Sequence, residues 1–246
     1  MKSFKQYALI FCFLTSSFGL FGQGIVTDVD GNTYNTVRIG DQEWMAENLK
    51  TTHYHDGQAI LTWKDSLQWM QYASSQAAYC WYKNDSITYK PLYGALYNWH
   101  AAQDSRLCPI GWRVPTQQDY IDLIRTVDPN IAAPVLLSET AGKALKETGH
   151  ANWPPYENIE GSNTTGFSAI GAGCRGWSGW YNAAPYFGYF WTYGSHWSLA
   201  LRWATDRVFM NDSAATYVAI SIRCVKGYSL PVYGQLFNKT LTKTLL

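Results

Sequence analysis

Apolar and polar residues alternate most cleanly near the end of the chain. Val218, Ile220, Ile222 and Cys224 fall on one side of an extended segment, and Tyr217, Ala219, Ser221 and Arg223 on the other. This alternation predicts a strand over residues 217–225, with Cys224 on its apolar face. Leu199, Leu201 and Trp203 alternate with Ala200 and Arg202 in the same way, and Val208 to Met210 supplies a hairpin partner. Near the start, Ile25-Val26-Thr27, a turn at Asp30-Gly31, a β-favouring run from Thr33 to Ile39, a turn at Gly40-Asp41 and Trp44-Met45 predict a three-stranded meander over 25–49.

The period changes in the middle. Tyr120, Leu123, Ile124 and Val127 form one helical stripe. Thr116 is placed to cap that helix, Asp119 sits at its third position, and Asp128-Pro129 ends it. Tyr93, Leu96, Tyr97 and His100 keep the same spacing and predict a helix over 93–103, with His100 capping an aromatic face. A further short helix is expected over 138–148, stopped by Gly149. Residues 50–92 show no clear period, apart from a short strand at Tyr79-Cys80-Trp81-Tyr82 and a turn at Lys83-Asn84-Asp85. Strands come first, helices next and short strands last, so the expected fold is α+β, in one domain without repeats or linkers.

The first 22 residues carry Lys2 and Lys5, an apolar run from Tyr7 to Leu14, and then small residues. They read as a secretory signal peptide (1–22), cleaved near Gly22/Gln23. Cys12 lies inside the apolar run, which disfavours a lipid anchor, and no later stretch is long and apolar enough to span a bilayer. The expected domain covers 23–226, and 227–246 reads as a tail. An exported chain, secreted, periplasmic or at the cell surface, is the expectation.

Composition narrows the partners. The chain is 47% hydrophobic and 15% charged, which excludes a disordered polyelectrolyte. Without Lys2 and Lys5 it carries 17 basic and 18 acidic residues, so no basic excess is available for nucleic acid or for electrostatic membrane binding. Aromatic residues make up 16%, and ten of them fall between Trp177 and Trp197.

Candidate chemistry is sparse. Cys80, Cys108, Cys174 and Cys224 suggest two disulfides, with three connectivities open. No Cys-x-x-Cys and no Gly-x-Ser-x-Gly occurs, so neither a zinc knuckle nor a hydrolase elbow is indicated. His53, His55 and Asp56 offer metal ligands but sit in a polar stretch that reads as a loop. Asp28 to Asn32 resembles the start of a calcium loop, yet Val37 stands where the closing acid belongs, and the turn reading is preferred. Asp206, Asn211 and Asp212 are weak candidates for a lectin-type calcium. No cofactor is expected.

Several strings resemble a known family. They are Asp-Gly-Asn-Thr-Tyr (30–34), Ile-Gly-Asp-Gln-Glu-Trp-Met-Ala-Glu-Asn-Leu (39–49), Tyr-Gly-Ala-Leu-Tyr-Asn-Trp (93–99), Cys-Pro-Ile-Gly-Trp-Arg-Val-Pro-Thr (108–116), Gly-Phe-Ser-Ala (166–169) and Ser-Ile-Arg-Cys-Val (221–225). Over about 25–226 the chain resembles the Fibrobacter succinogenes major paralogous domain family. The resemblance implies a secreted or surface bacterial protein related to C-type-lectin-like and formylglycine-generating-enzyme-like domains. The implied fold has an N-terminal meander, two or three helices and a loop-rich, short-stranded second half. It also implies a disulfide between Cys108 and Cys224, with the partners of Cys80 and Cys174 undecided.

The function this suggests is non-catalytic binding of a glycan or a surface protein. Trp177, Trp180, Tyr181, Tyr193 and Trp197 are the candidate ligand-binding residues, because flat rings among Gly and Ser stack on sugar faces or anchor protein contacts. Phe187, Phe190 and Trp191 are expected in the core, and Arg113, Arg175, Arg202 and Arg223 as half-buried hydrogen-bond hubs. The alternatives are a structural or assembly module without ligand, and a copper-dependent oxidase of the formylglycine-generating type using Cys174.

Overall fold

The computed structural model describes residues 24–131, 136–211 and 215–227. The expected signal peptide, Asp212 and all of the expected tail except Gly227 lie outside those residues.

The first half contains β1 (Ile25–Thr27), β2 (Thr33–Ile39), β3 (Gln42–Met45), β4 (Leu61–Thr62), α1 (Ser66–Tyr72), β5 (Ala78–Cys80), α2 (Ser86–Tyr93), β6 (Leu96–Tyr97), α3 (Trp99–Ala102), β7 (Trp112–Arg113) and α4 (Gln117–Arg125). The second half contains β8 (Leu136–Ser138), α5 (Ala141–Leu145), β9 (Cys174–Arg175), β10 (Tyr181–Asn182), β11 (Phe187–Trp191), β12 (Ser198–Arg202), β13 (Val208–Asn211) and β14 (Val225–Lys226). The class is α+β. One sheet runs β1-β2-β3-β14-β7, a second β11-β12-β13-β8, a third β4-β5-β6, and β9 pairs with β10. Among the described residues no helix is long and apolar enough to cross a membrane.

The N-terminal meander forms as its alternation predicts, with β2 antiparallel to both β1 and β3. Its first turn consumes the Asp28 carboxylate, which accepts from the Asp30 and Asn32 N–H groups and from the Tyr34 hydroxyl. The β12–β13 hairpin also forms as expected. In α4 the Thr116 side chain accepts from the Asp119 N–H while the Asp119 carboxylate accepts from the Thr116 N–H, a reciprocal cap. Tyr120, Leu123 and Ile124 are buried on its inner face. Trp44 is fully buried against that face, 5.3 Å from the Tyr120 ring and 5.6 Å from Phe167. This packing seats α4 on the first sheet.

Three expectations change. Residues 93–103 are not one helix. Gly94 stops α2 at φ +72, where a Cβ would stand 2.8 Å from the Leu49 carbonyl. Leu96 and Tyr97 then enter β6, and Asn98 caps the new helix α3 by accepting from the Ala101 N–H. The expected 138–148 helix shrinks to α5, because Ser138 ends β8 and its hydroxyl accepts from the Thr140 and Ala141 N–H groups.

Residues 217–225 are not one strand either. Ala219 bridges Arg175, Ile220 bridges Tyr97, Ser221 bridges Phe190, and Val225 pairs with both Trp44 and Arg113. Every residue from Ala219 to Val225 is buried. The alternation therefore separates two interiors rather than core from solvent, and the segment stitches the sheets together. Cys224 closes a disulfide to Cys108, with a Cα–Cα distance of 6.1 Å across 116 residues of sequence.

Candidate functional site

The aromatic-rich loop hangs from the β9–β10 pair, in which Arg175 faces Tyr181 and Cys174 faces Asn182. Between them the chain turns through Gly179 at φ +75. A Cβ there would stand 2.7 Å from Ser66 Cβ, so glycine lets the turn rest directly on the start of α1.

Arg175 fixes this arrangement from beneath. It is fully buried, not half-buried, with its guanidinium 4.2 Å from the Trp69 ring and 5.0 Å from the Tyr181 ring. Its Nε donates to the Gly179 carbonyl at 3.1 Å, and its two Nη groups donate to the carbonyls of Trp63 and Lys64. One side chain thus ties the loop to the segment before α1. Tyr181 adds a second tie, donating its hydroxyl to Asn84 Oδ1 at 2.7 Å, while Asn84 Nδ2 donates to the Lys64 carbonyl. Lys83 and Asn84 both adopt left-handed backbone, at φ +54 and +59. Such geometry is uncommon outside glycine and costs energy, so it persists only where its surroundings hold it.

These contacts shape a groove of 470 Å³ lined by Ser66, Lys83, Asn84, Gly179, Trp180 and Tyr181. Trp180 is 74% exposed and Trp177 54% exposed, whereas Tyr181 is partly buried in the groove wall. The groove offers a free aromatic face, an ammonium group and a hydroxyl, held on a hydrogen-bonded frame.

The other candidates sit elsewhere. Tyr193 is partly buried against the cluster around Cys108 and Cys224, and its N–H donates to the Pro115 carbonyl. Trp197 packs against the cluster that holds Trp44 and Tyr120. Neither lines the groove. Phe190 and Trp191 are fully buried, and Phe187 is only partly buried because it lies with Tyr189 on the outer face of β11, where Arg202 and Tyr189 pack on its ring. Among the arginines, Arg113 is a half-buried hub on Asp119, Arg223 is fully buried, and Arg202 is exposed beside Phe187 and Phe209. Ser66, Lys83 and Asn84 were not singled out as ligand contacts by sequence pattern. They lie about a hundred residues from Trp180 in sequence, so no local pattern joins them to it.

Among the described residues the cysteines make one disulfide rather than two. Cys80 and Cys174 are free thiols. Burial pushes Cys80 up to about 11 and Cys174 likewise to about 11, so neither is set up as a thiolate near neutral pH. The Cys174 thiol donates to Asn182 Oδ1 at 3.0 Å. The His53 ring nitrogen instead meets Asp30 at 2.6 Å, while Asp56 pairs with Arg106, so these potential ligands turn to different partners. Among the described residues no three His, Cys, Asp or Glu side chains converge for a metal.

No curated protein and no solved structure matches the chain. A family model does match, over residues 37–226, and those residues contain α4, the disulfide and the whole groove. The chain therefore belongs to the Fibrobacter succinogenes major domain family.

Proposed function

We propose that this protein is an exported, non-catalytic binding module that takes a glycan in the Trp180 groove. On this reading residues 1–22 direct export to the periplasm, the cell surface or the medium, 23–226 form a C-type-lectin-like domain, and 227–246 are its C-terminal tail. The observation that carries the reading is the 74% exposure of Trp180 on a groove whose wall also holds Ser66, Lys83 and Asn84. An indole face left in water costs free energy that stacking on the apolar face of a sugar ring recovers, and neighbouring polar groups then fix orientation. Trp177, exposed three residues earlier on the same turn but outside the groove lining, is a second candidate ring. Ser66 supplies a hydroxyl and Lys83 a cation to meet sugar oxygens. Tyr193 and Trp197 leave the proposed contact set, because they pack against the core clusters, whereas Trp177 and Trp180 are exposed.

A glycan array probed with the purified protein tests this. Binding to one glycan class, weakened about tenfold or more in Trp180→Ala and unaffected in Trp197→Phe, supports the reading. A blank array together with capture of a surface protein through Trp180 gives the site to protein recognition instead. A blank array with no partner at all assigns the domain to assembly.

A further inference from the structure

Charge around the Trp180 groove is one-sided. Its lining includes a lysine, Lys83, and no Asp or Glu. Lys83 is exposed, and among the described residues no carboxylate pairs with its ammonium. The acids nearest in sequence are turned to backbone. Asp65 accepts from the Leu67 and Gln68 N–H groups at the start of α1, and Asp85 from those of Ile87 and Thr88 at the start of α2. N–H groups at a helix start offset part of a negative charge placed there.

A second cation stands behind the groove wall. Arg175 is fully buried, with its guanidinium 5.0 Å from the ring of Tyr181, which lines the groove. Its hydrogen bonds go to the carbonyls of Gly179, Trp63 and Lys64, none of them charged. Among the described residues it too forms no ion pair. A buried charge is screened far less by salt than an exposed one, so Arg175 adds to the positive potential at the wall.

The backbone at Lys83 sharpens the point. Its φ of +54 lies in the left-handed region, which glycine and asparagine adopt more readily than lysine. Lysine at that position costs energy that glycine would spare, and strain of this kind gathers where a side chain is put to use.

We propose that the Trp180 groove selects an acidic glycan, whose carboxylate or sulfate group meets the Lys83 ammonium while a sugar ring stacks on Trp180, an assignment that rests on the glycan reading of the same groove. The uncharged hydroxyl of Ser66 remains to meet a sugar hydroxyl beside that contact.

Calorimetric titration with matched pairs tests this: hexamers of galacturonate, glucuronate and mannuronate against their methyl esters, and sulfated carrageenan hexamers against their desulfated forms. At least one acidic member is expected to bind about threefold or more tighter than its neutral counterpart. The uronate and sulfate arms show which anion is taken. The preference should shrink as salt rises from about 20 to 200 mM, because an exposed ammonium is screened. Lys83→Gly, which relaxes the backbone, should keep the melting temperature within a few degrees and lose the preference, and Lys83→Arg should retain it. Trp180→Ala should weaken the acidic and neutral members alike. Neutral members bound as tightly as acidic ones through Trp180 would overturn the proposal while leaving the groove a glycan site. An acidic preference that survives Lys83→Gly, or no binding of any acidic member, also overturns it.

Discussion

The Tyr181 hydroxyl donates to Asn84 Oδ1 at 2.7 Å, joining the aromatic loop to the left-handed turn that precedes α2. The two residues are 97 apart in sequence, so this bond spans the groove's two sources of side chains. Tyr181→Phe keeps the ring and removes the bond. A hydrogen bond of this kind contributes about 0.5–1.5 kcal/mol. The expected outcome is a modest fall in the denaturant midpoint and a several-fold loss of glycan affinity, because the free groove is no longer held in its binding shape.

Gly179 gives a sharper test of the same geometry. Alanine at φ +75 is strained, and its methyl would collide with Ser66. Gly179→Ala should lower stability by about 1–3 kcal/mol and abolish glycan binding, while the Cys108–Cys224 bridge still forms. Chemical denaturation and peptide mapping check the two halves. Unchanged affinity in this variant would show that the turn's contact with α1 does not shape the site.

The bridge itself closes a loop spanning 116 residues. On the chain-entropy account, a loop that long stabilises by roughly 4–5 kcal/mol. Replacing both Cys108 and Cys224 by serine should lower the unfolding free energy by about that amount, read from urea unfolding without reductant. In the intact protein, thiol labelling should find Cys80 and Cys174, and only slowly until denaturant exposes them, since burial raises both.

Acid should weaken the fold through Asp119. Burial works against its ionised form, but bonds from Arg113, the Thr116 hydroxyl and the Thr116 N–H outweigh it and hold the carboxyl below its ordinary 3.8. A group lowered on folding contributes stability above its unfolded value and loses that contribution as pH falls through the folded value. Stability should therefore decline as pH drops below about 3.8. Asp119→Asn should be less stable at neutral pH and show a shallower acid limb in a series of urea melts.

The sequence disclosed elements whose pattern had one cause. The β1–β3 meander alternates because one face packs inward, and α4 carries both its cap and its stripe. Tyr93, Leu96, Tyr97 and His100 mislead because helical spacing there coincides with a helix end, a strand and a second helix, and Gly94 stops the first. The 217–225 segment misleads because burial on both sides mimics an amphipathic strand. The glycines and serine around Trp177, Trp180 and Tyr181 point to exposure of all three; the first two are exposed, but Tyr181 is partly buried against Arg175. The polar side of the groove was not legible, because Ser66 and Asn84 reach Trp180 only through tertiary contacts that Arg175 organises.

The most direct measurement is an indole-resolved NMR titration of the tryptophan-labelled protein with the glycan selected on the array. The account predicts that the Trp180 and Trp177 indole signals shift saturably while the buried Trp44, Trp69 and Trp191 signals stay in place. Saturable binding that leaves Trp180 and Trp177 unmoved would contradict it.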